Sequence, residues 1–266
     1  MLAGRFLTRW PFPATTDAPP TLYGHAAPLY PVIGLLLGGV LAGLGLGGAA
    51  LGVTGGGGAP ALAVLVLVGW VWWTGALHLD GLADCADAWV GGLGDRERTF
   101  RILKDPHIGS MGVVALVLVL LAKLAALVVL LGAGRDGLQT GGGQLAWVWS
   151  LLWVPMLARA QILWLALTTS AARPEGLGAI LGAHLPRRAA WLAAVLATAA
   201  ALAGIGAVSM VGALVVAVVA VLVLLLWRAS LRHRLGGYTG DGIGALVELT
   251  ETWILLGLAL VAAAIA

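Results

Sequence analysis

"HLDGLADCAD", His78 to Asp87, places three carboxylates within ten residues, directly after a strongly apolar run. Ionised side chains are costly in the hydrocarbon of a membrane, so acids this close to an apolar run are expected where it leaves the lipid. The stretch therefore predicts the border of a membrane-spanning helix. It also raises the question of what balances its negative charge.

The composition agrees with a membrane protein. Of the 266 residues, 61% are hydrophobic and only 10% are charged, whereas a soluble domain carries about a quarter charged residues. The mean hydropathy is +1.00. The single cysteine, Cys85, excludes an intrachain disulfide and a cysteine-based zinc site. We therefore expect an integral membrane protein with the lipid bilayer as its surroundings and no nucleic-acid partner.

Seven apolar segments are long enough, or nearly so, to cross the membrane as helices of roughly 20 residues. The fifth and sixth are separated only by "GIGAVS" and should form a helical hairpin, and the last is short unless it begins near Asp241. The fold class predicted is all-α: one integral membrane domain over residues 1–266, with an interfacial segment at 1–28 and a helical bundle at 29–266. The segments are about 29–51, 60–78, 110–132, 145–170, 189–205, 207–228 and 250–266.

The basic residues predict the orientation of the bundle. Cytoplasmic loops of membrane proteins carry an excess of Lys and Arg. With the N-terminus inside, twelve of the 15 basic residues fall in inner regions, only Arg135 falls outside, and Lys123 and Arg159 fall within spans. This count predicts an N-in, C-out protein of the inner membrane with its site on the cytoplasmic side. Because Arg9, Pro11 and other residues interrupt the start, we expect an interfacial anchor there and no cleaved signal peptide.

Glycines in the first apolar segment predict close helix packing. "GLGLGG" at residues 43–48 matches a dinucleotide-binding pattern, but it lies within a span and no strand precedes it. Small residues at four-residue spacing instead let helices approach closely, and they also leave room for a homo-oligomer. The glycines assigned to packing are Gly34, Gly38, Gly39, Gly43 and Gly47.

The acidic stretch predicts a metal site. If the second apolar segment continues as a helix beyond its end, Asp80, Asp84 and Asp87 lie on one face. Three like charges on one face repel one another, and Mg²⁺ is typically held by a few carboxylates plus substrate phosphates. We therefore predict these aspartates as Mg²⁺ ligands and catalytic residues, with His78 as a further catalytic candidate. The alternative is a hydrated acidic turn at the membrane border, with His78 as a polar border residue.

A second stretch, "RERTFRILKDPHIGSMG" at residues 96–112, combines a basic amphipathic helix with a break at Pro106. One interpretation is contact of its apolar residues with the membrane and of its bases with anionic lipid. The other is phosphate binding, because backbone N–H groups at a helix N-terminus bind phosphate well. Those N–H groups would come from Gly109, Ser110 and Gly112, and the side chains assigned to phosphate binding here are Lys104, Asp105, His107 and Ser110.

A third stretch, "GGYTGDGIGALVELTE", begins the last span. Thr239 or Asp241 can cap the helix that follows. Asp241 and Glu248 are seven residues apart and share a face, and Glu251 lies three residues further. We predict Asp241 and Glu248 as additional metal ligands and Thr239 as a phosphate-binding residue.

Two bases, Lys123 and Arg159, fall near the middle of spans. No acid lies at a matching depth when the spans are placed as above, and an unpaired base in the membrane costs at least about 2.5–3.5 kcal/mol. We therefore hypothesise that both line the floor of a substrate cavity and face a phosphate.

Several stretches resemble the cobalamin synthase family, the adenosylcobinamide-GDP ribazoletransferases, in the same order along nearly the whole chain. They are "FLTRWPFP", "GALHLDGLADCADA", "ILKDPHIGSMGVVALVLVLLAK", "ARPEGLGA" and "LGGYTGDGIGALVELTE". Two positions depart from the family pattern: Ala88 replaces a glycine, and His107 replaces a basic residue, which weakens a phosphate role there.

The resemblance implies a membrane enzyme that needs Mg²⁺ and joins adenosylcobinamide-GDP to α-ribazole or its 5′-phosphate. The products would be adenosylcobalamin or its 5′-phosphate, and GMP. It also implies that the three aspartates, Asp241 and Glu248 belong to the metal site, and that Lys104 and Asp105 belong to the phosphate-binding break. The alternatives are a CDP-alcohol-type phospholipid phosphotransferase, whose full motif spacing is absent, and a small-molecule transporter.

Overall fold

The protein is a helical bundle. The structure, a computed structural model, describes residues 2–13, 19, 21–54, 57–132 and 147–265. Within these ranges the only β-type pairing is an isolated bridge between Ala171 and Tyr238. Six helices, or seven when one bent pair counts as a span, are long and apolar enough to cross a membrane. The all-α membrane bundle is confirmed. The orientation stays a prediction, and the predicted outer loop around Arg135 lies outside the described residues.

Twelve α-helices follow one another along the described ranges, with a 3-10 turn at Ala27–Leu29 that joins α2 to α3. The helices are α1 (Leu2–Leu7), α2 (Thr21–Ala26), α3 (Tyr30–Ala50), α4 (Ala59–Thr74), α5 (Leu77–Gly91), α6 (Arg96–Ile102), α7 (Ser110–Gly132), α8 (Ser150–Thr168), α9 (Leu177–His184), α10 (Arg187–Gly206), α11 (Met210–Leu235) and α12 (Gly240–Ile265).

The last three helices agree with the predicted pattern. α10 and α11 form the expected hairpin across a three-residue turn, and the Ser209 hydroxyl caps α11 by accepting a hydrogen bond from the Gly212 N–H at 3.0 Å. α12 begins at Gly240, next to Asp241, and therefore has the length that the apolar run at 250–266 lacks. The helix thus carries its acids into the span.

The sequence suggested that the second span continues straight past residue 77. The structure shows instead that it bends there. α4 ends at Thr74, and Gly75 and Ala76 adopt left-handed backbone angles with φ of 61° and 57°. Two left-handed residues cannot continue a right-handed helix, so α5 leaves α4 at an angle of 86°. Asp80, Asp84 and Asp87 still share a face because all three lie within α5, which is itself a regular helix.

Only some of the glycines of α3 pack against a neighbour. A Cβ on Gly34 or Gly38 would collide with backbone carbonyl oxygens of α8, at Pro155 and Leu152 respectively. Those two glycines therefore let α3 and α8 touch backbone to backbone, as predicted. Against the described residues, the prediction is wrong for Gly43 and Gly47, where an added Cβ would meet none of their atoms within 4 Å, and Gly39 would make only an ordinary side-chain contact.

The N-terminal segment packs on the bundle instead of serving only as an interfacial anchor. Leu7 and Ala3 are buried, and the Arg9 N–H donates a hydrogen bond to the carbonyl of Trp73 at 2.8 Å. The Phe6 ring stacks on that of Tyr30, with centroids 6.0 Å apart. This segment therefore contributes side chains to the interior at one end of the bundle.

A buried ion cluster joins the central helices. The Lys123 ammonium on α7 donates hydrogen bonds to Glu248 and Glu251 on α12, each at 2.6 Å, and the Arg159 guanidinium on α8 pairs with Glu251. All four side chains are 5% exposed or less. The expectation that no acid lies at the depth of the two bases is therefore wrong.

The first prediction concerns the contact between α3 and α8. We expect Gly38→Ala to lower the stability of the bundle by about 1–3 kcal/mol, because its Cβ has no space beside the Leu152 carbonyl. Gly43→Ala is the matched control, since the same methyl group meets open space in the same helix. Thermal unfolding in detergent measures both, and equal midpoints for the two variants would contradict this packing.

The second prediction concerns the ion cluster. Glu251→Gln leaves Arg159 without a carboxylate and should destabilise the protein by about 3 kcal/mol or more, as expected when one partner of a buried ion pair is removed. Glu248→Gln is the control and should cost less, because Lys123 and Arg159 each keep Glu251. Thermal unfolding of both variants tests the order, and a larger loss for Glu248→Gln would refute it.

Candidate functional site

The aspartates of α5 lie on the face that points away from the core. Asp80 is exposed, and Asp84 and Asp87 are half-buried. The opposite face of the helix carries buried residues such as Leu82 and Cys85. The helix is therefore amphipathic, with its acids along one side as the spacing predicted.

The start of α12 adds a fourth carboxylate to this face. Gly81 lies against the backbone of Asp241, since a Cβ there would come within 2.7 Å of the Asp241 carbonyl oxygen. Gly244 approaches the backbone of His78 in the same way, at 3.4 Å from a built Cβ. These small residues let α5 and α12 cross closely, and the crossing places Asp241 beside the aspartates of α5.

Asp87 fixes the start of α7. Its two carboxylate oxygens accept hydrogen bonds from the N–H groups of Gly109 and Gly112, at 2.7 and 2.9 Å. A carboxylate at the N-terminus of a helix is stabilised by the unpaired N–H groups and the helix dipole. The prediction that these N–H groups bind a substrate phosphate is wrong for Gly109 and Gly112, because Asp87 occupies them.

The loop before α7 is exposed and held by a local pair. Asp105 accepts hydrogen bonds from the backbone N–H of His107 at 3.0 Å and from its ring at 2.7 Å. These two bonds, the backbone bond foremost, hold the pKa of the Asp105 carboxyl below its usual range. Lys104 and Ser110 are exposed nearby, and their predicted phosphate-binding roles stay predictions.

Thr239 and Glu248 have structural contacts that the sequence interpretation did not include. The buried hydroxyl of Thr239 caps α12 by accepting a hydrogen bond from the Gly242 N–H at 3.1 Å, so Thr239 is the cap that the sequence left open. Glu248 shares a face of α12 with Asp241, but its carboxylate binds Lys123 inside the bundle. The structure therefore does not bring Glu248 together with the aspartates of α5.

His78, Lys123 and Arg159 also lie inside the bundle. His78 is 3% exposed, and its Nδ1 is 3.4 Å from a guanidinium nitrogen of Arg159. Lys123 and Arg159 are bound to carboxylates, and neither lines the cavity described next. Because neither Lys123 nor Arg159 is unpaired, neither needs a phosphate to balance its charge.

A cavity of about 120 Å³ opens beside Asp80 and Asp241. The most polar side chains that line it are those of these two aspartates and His78. Most of the remaining wall is apolar and aromatic. That part of the wall contains Phe6, Leu7, Tyr23, Tyr30, Leu77, Ile162, Leu177, Leu181 and Ile243.

A second cavity of about 150 Å³ adjoins the first and shares Asp241 and Leu177 with it. Arg173 and Glu175 lie on its wall. Sequence reasoning counted Arg173 only as a charge that sets orientation. Its place in "ARPEGLGA", one of the stretches that carry the resemblance, was the available signal.

The carboxylates suit a hard divalent cation by their chemistry, although their side chains do not converge. Among the described residues, no three His, Cys, Asp or Glu side chains form a group that could hold a metal ion. Mg²⁺ is usually held by one or two carboxylates plus substrate phosphates and water, so a site completed by substrate needs no such group. Asp80 and Asp241, which line one cavity, fit that kind of site.

Comparison with known proteins identifies the family of the chain. The family described as cobalamin-5-phosphate synthase matches residues 1–259. No solved structure matches the chain.

Relatives named adenosylcobinamide-GDP ribazoletransferase match the chain from end to end. One from Pseudomonas paraeruginosa is 48% identical over 98% of this chain and 97% of its own length. Another from Pseudomonas aeruginosa is 46% identical with the same coverage, and one from Stutzerimonas stutzeri is 44% identical over 98% and 97% of the two chains. The chain therefore belongs to the cobalamin-5-phosphate synthase family.

Proposed function

We propose that this protein is an adenosylcobinamide-GDP ribazoletransferase, an enzyme of cobalamin biosynthesis. It joins adenosylcobinamide-GDP to α-ribazole or its 5′-phosphate, and it releases GMP. The observation that carries the proposal is that Asp80 and Asp241 line a cavity whose other side chains are mainly apolar and aromatic. The names of relatives that match the chain over nearly its whole length support the same activity.

Asp80 and Asp241, which line the same cavity, would hold Mg²⁺ together with the diphosphate of the nucleotide substrate, and Asp84 would stay free of the metal. The ion supplies charge neutralisation and polarises the phosphoryl group under attack. Asp87 contributes mainly by fixing α7, because both of its oxygens already accept backbone hydrogen bonds. Arg173, in the adjoining cavity with Asp241, is placed to neutralise part of the remaining phosphate charge.

The aromatic part of the cavity fits the acceptor. The base of α-ribazole is flat and apolar, and aromatic side chains bind such rings through buried area and stacking. Phe6, Tyr23 and Tyr30 provide that surface, with Phe6 edge-on to Tyr23 at 6.2 Å between ring centroids. The ribose of a base bound there would then lie towards the carboxylates.

Asp84 is the residue that we assign as general base. The ribose hydroxyl attacks the phosphorus attached to cobinamide, the hydroxyl proton passes to a carboxylate, and GMP leaves. Asp84 is half-buried on the acidic face of α5, whereas His78 lines the cavity but is only 3% exposed and lies against Arg159. These positions favour Asp84 over His78 for this step.

We also propose an inner-membrane location with the site on the cytoplasmic side. The acidic face of α5 and the starts of α7 and α12 lie at one end of the bundle, where most basic residues also fall. That distribution is the expected one for the cytoplasmic side. A homo-oligomer stays a prediction, for which the open glycines Gly43 and Gly47 leave room.

The third prediction is that Asp84→Asn lowers GMP release from adenosylcobinamide-GDP and α-ribazole by at least about 100-fold, the usual minimum effect of losing a general base. GMP is measured by chromatography on protein in detergent, with and without Mg²⁺. Chelation by EDTA should abolish release from the wild type, and added Mg²⁺ should restore it.

Glu97→Gln is the matched control, because Glu97 is an exposed acid of neighbouring α6 outside the cavities. Its GMP release should equal that of the wild type. Normal turnover and normal Mg²⁺ dependence in Asp84→Asn would contradict the assigned role.

The fourth prediction is that Phe6→Ala raises the KM for α-ribazole roughly two- to ten-fold with little change in kcat, the effect expected from losing one aromatic contact. Phe12→Ala is the control, since Phe12 lies in the same N-terminal segment but not on the cavity wall. Steady-state kinetics with varied acceptor measures both variants. Equal KM values would show that the base does not bind against Phe6.

A further inference from the structure

A third cavity, of about 430 Å³, lies where α8 ends, α10 begins and α11 approaches its end. Three of its lining residues are arginines, and three more carry hydroxyl groups. It shares no lining residue with either cavity that contains Asp241. The side chains in question are Arg187, Arg228, Arg232, Thr168, Thr169 and Ser170.

The positive charge of this cavity is not balanced by the described part of the chain. None of the three arginines there has a carboxylate within 4.0 Å, in contrast to Lys123 and Arg159. Arg187 donates to the Leu167 carbonyl at 2.9 Å, and Arg228 donates to the Thr168 carbonyl at 2.8 Å. These carbonyls end α8 and carry the negative end of its dipole, but they satisfy only one or two of the five N–H groups of a guanidinium and supply no full opposite charge.

Two features of the three arginines are unfavourable without an anion. Arg187 is in the first turn of α10, where the helix dipole is positive and where no side chain caps the helix. Arg228 and Arg232 are four residues apart on α11, so their like charges lie on one face and repel one another. A bound anion would offset both costs.

Exposed apolar side chains lie close to the cavity on two of the helices that line it. Trp191 lies one turn beyond Arg187 on the same face of α10 and is 51% exposed. Leu225 lies three residues before Arg228 on the same face of α11 and is also 51% exposed. The arginines thus lie where the apolar surface of two membrane helices gives way to polar surroundings, with an exposed tryptophan at the level typical of membrane interfaces.

We propose that the arginine cavity binds the phosphate of an anionic phospholipid headgroup, separately from the aspartate site. The guanidinium groups would donate hydrogen bonds to the phosphate oxygens. The hydroxyl groups of Thr169 and Ser170 would form hydrogen bonds with the rest of the polar headgroup. The acyl chains would extend along the apolar faces of α10 and α11. Basic pockets between membrane helices are known to hold lipid headgroups in this way.

The test is a lipid titration on full-length protein in detergent, read out by thermal unfolding. Short-chain phosphatidylglycerol should raise the unfolding midpoint at lower concentrations than phosphatidylcholine does. Arg232→Gln should raise the half-maximal phosphatidylglycerol concentration about five-fold, which corresponds to about 1 kcal/mol. Arg187 and Arg228 donate hydrogen bonds to the last carbonyls of α8, so replacing them could disturb the fold. Arg232 makes no such bond to the described part of α8 and is therefore the preferred position.

Three controls define the result. Arg232→Lys keeps the charge and should stay within about two-fold of the wild type. Arg188→Gln removes a neighbouring exposed arginine outside the cavity and should leave the titration unchanged. Inorganic phosphate and glycerol phosphate, which lack acyl chains, should give no stabilisation at the same concentrations.

Equal responses to the two lipids would overturn the proposal, and so would equal losses in Arg188→Gln and Arg232→Gln. Stabilisation by inorganic phosphate or glycerol phosphate as strong as that by phosphatidylglycerol would assign the cavity to a soluble phosphate and would also refute a lipid site. Preference for phosphatidylglycerol that depends on Arg232 but not on Arg188 would support it.

Discussion

The buried ion cluster is the contact on which the arrangement of the helices depends. Within lipid, ionic groups have no water to solvate them, so each must find its partner inside the bundle. Glu251 receives both bases, and the Lys123 ammonium also lies 4.9 Å from the centre of the Trp70 ring. Through Trp70, His78, Lys123, Arg159 and Glu251 the cluster touches α4, α5, α7, α8 and α12. It therefore fixes the first turn of α5, the helix that carries the aspartates.

Three local features then set the orientation of the acidic face of α5. The left-handed pair at Gly75 and Ala76 turns α5 out of the line of α4, the glycine contacts bring α12 against it, and Asp87 anchors α7 to it. The aspartates thus divide into two kinds. Both oxygens of Asp87 accept backbone hydrogen bonds, whereas Asp80 and Asp84 remain available on the same face, next to Asp241. A sequence motif that looks uniform therefore holds one structural acid and acids free to bind a substrate complex.

Hydropathy and spacing were sufficient to predict the spans, the hairpin of α10 and α11 and the shared face of the aspartates, because each depends on local periodicity. The acids that pair with Lys123 and Arg159 were not predicted, because the start of the last span was placed too late in the sequence. Placing the last span at 250–266 put its acids at the membrane surface. Since α12 begins at Gly240, Glu251 is about 16 Å along the helix, a depth similar to the roughly 14 Å that separates Arg159 from the end of α8. The aromatic cavity wall could not be predicted, because Phe6 and Tyr30 meet only through tertiary packing.

The same cluster bears on the choice between an enzyme and a transporter. A transporter binds its substrate near the middle of the membrane, and Lys123 and Arg159 are the bases that lie at such a depth. The structure pairs these two bases with two acids, so the cluster is formally neutral and nearly inaccessible. An anionic substrate would have to displace a buried carboxylate to bind there, at a cost of several kcal/mol. The charge that remains available for chemistry lies at one end of the bundle, beside a cavity with an aromatic wall. That placement is expected of an enzyme that takes a nucleotide from water and a second substrate at the membrane border.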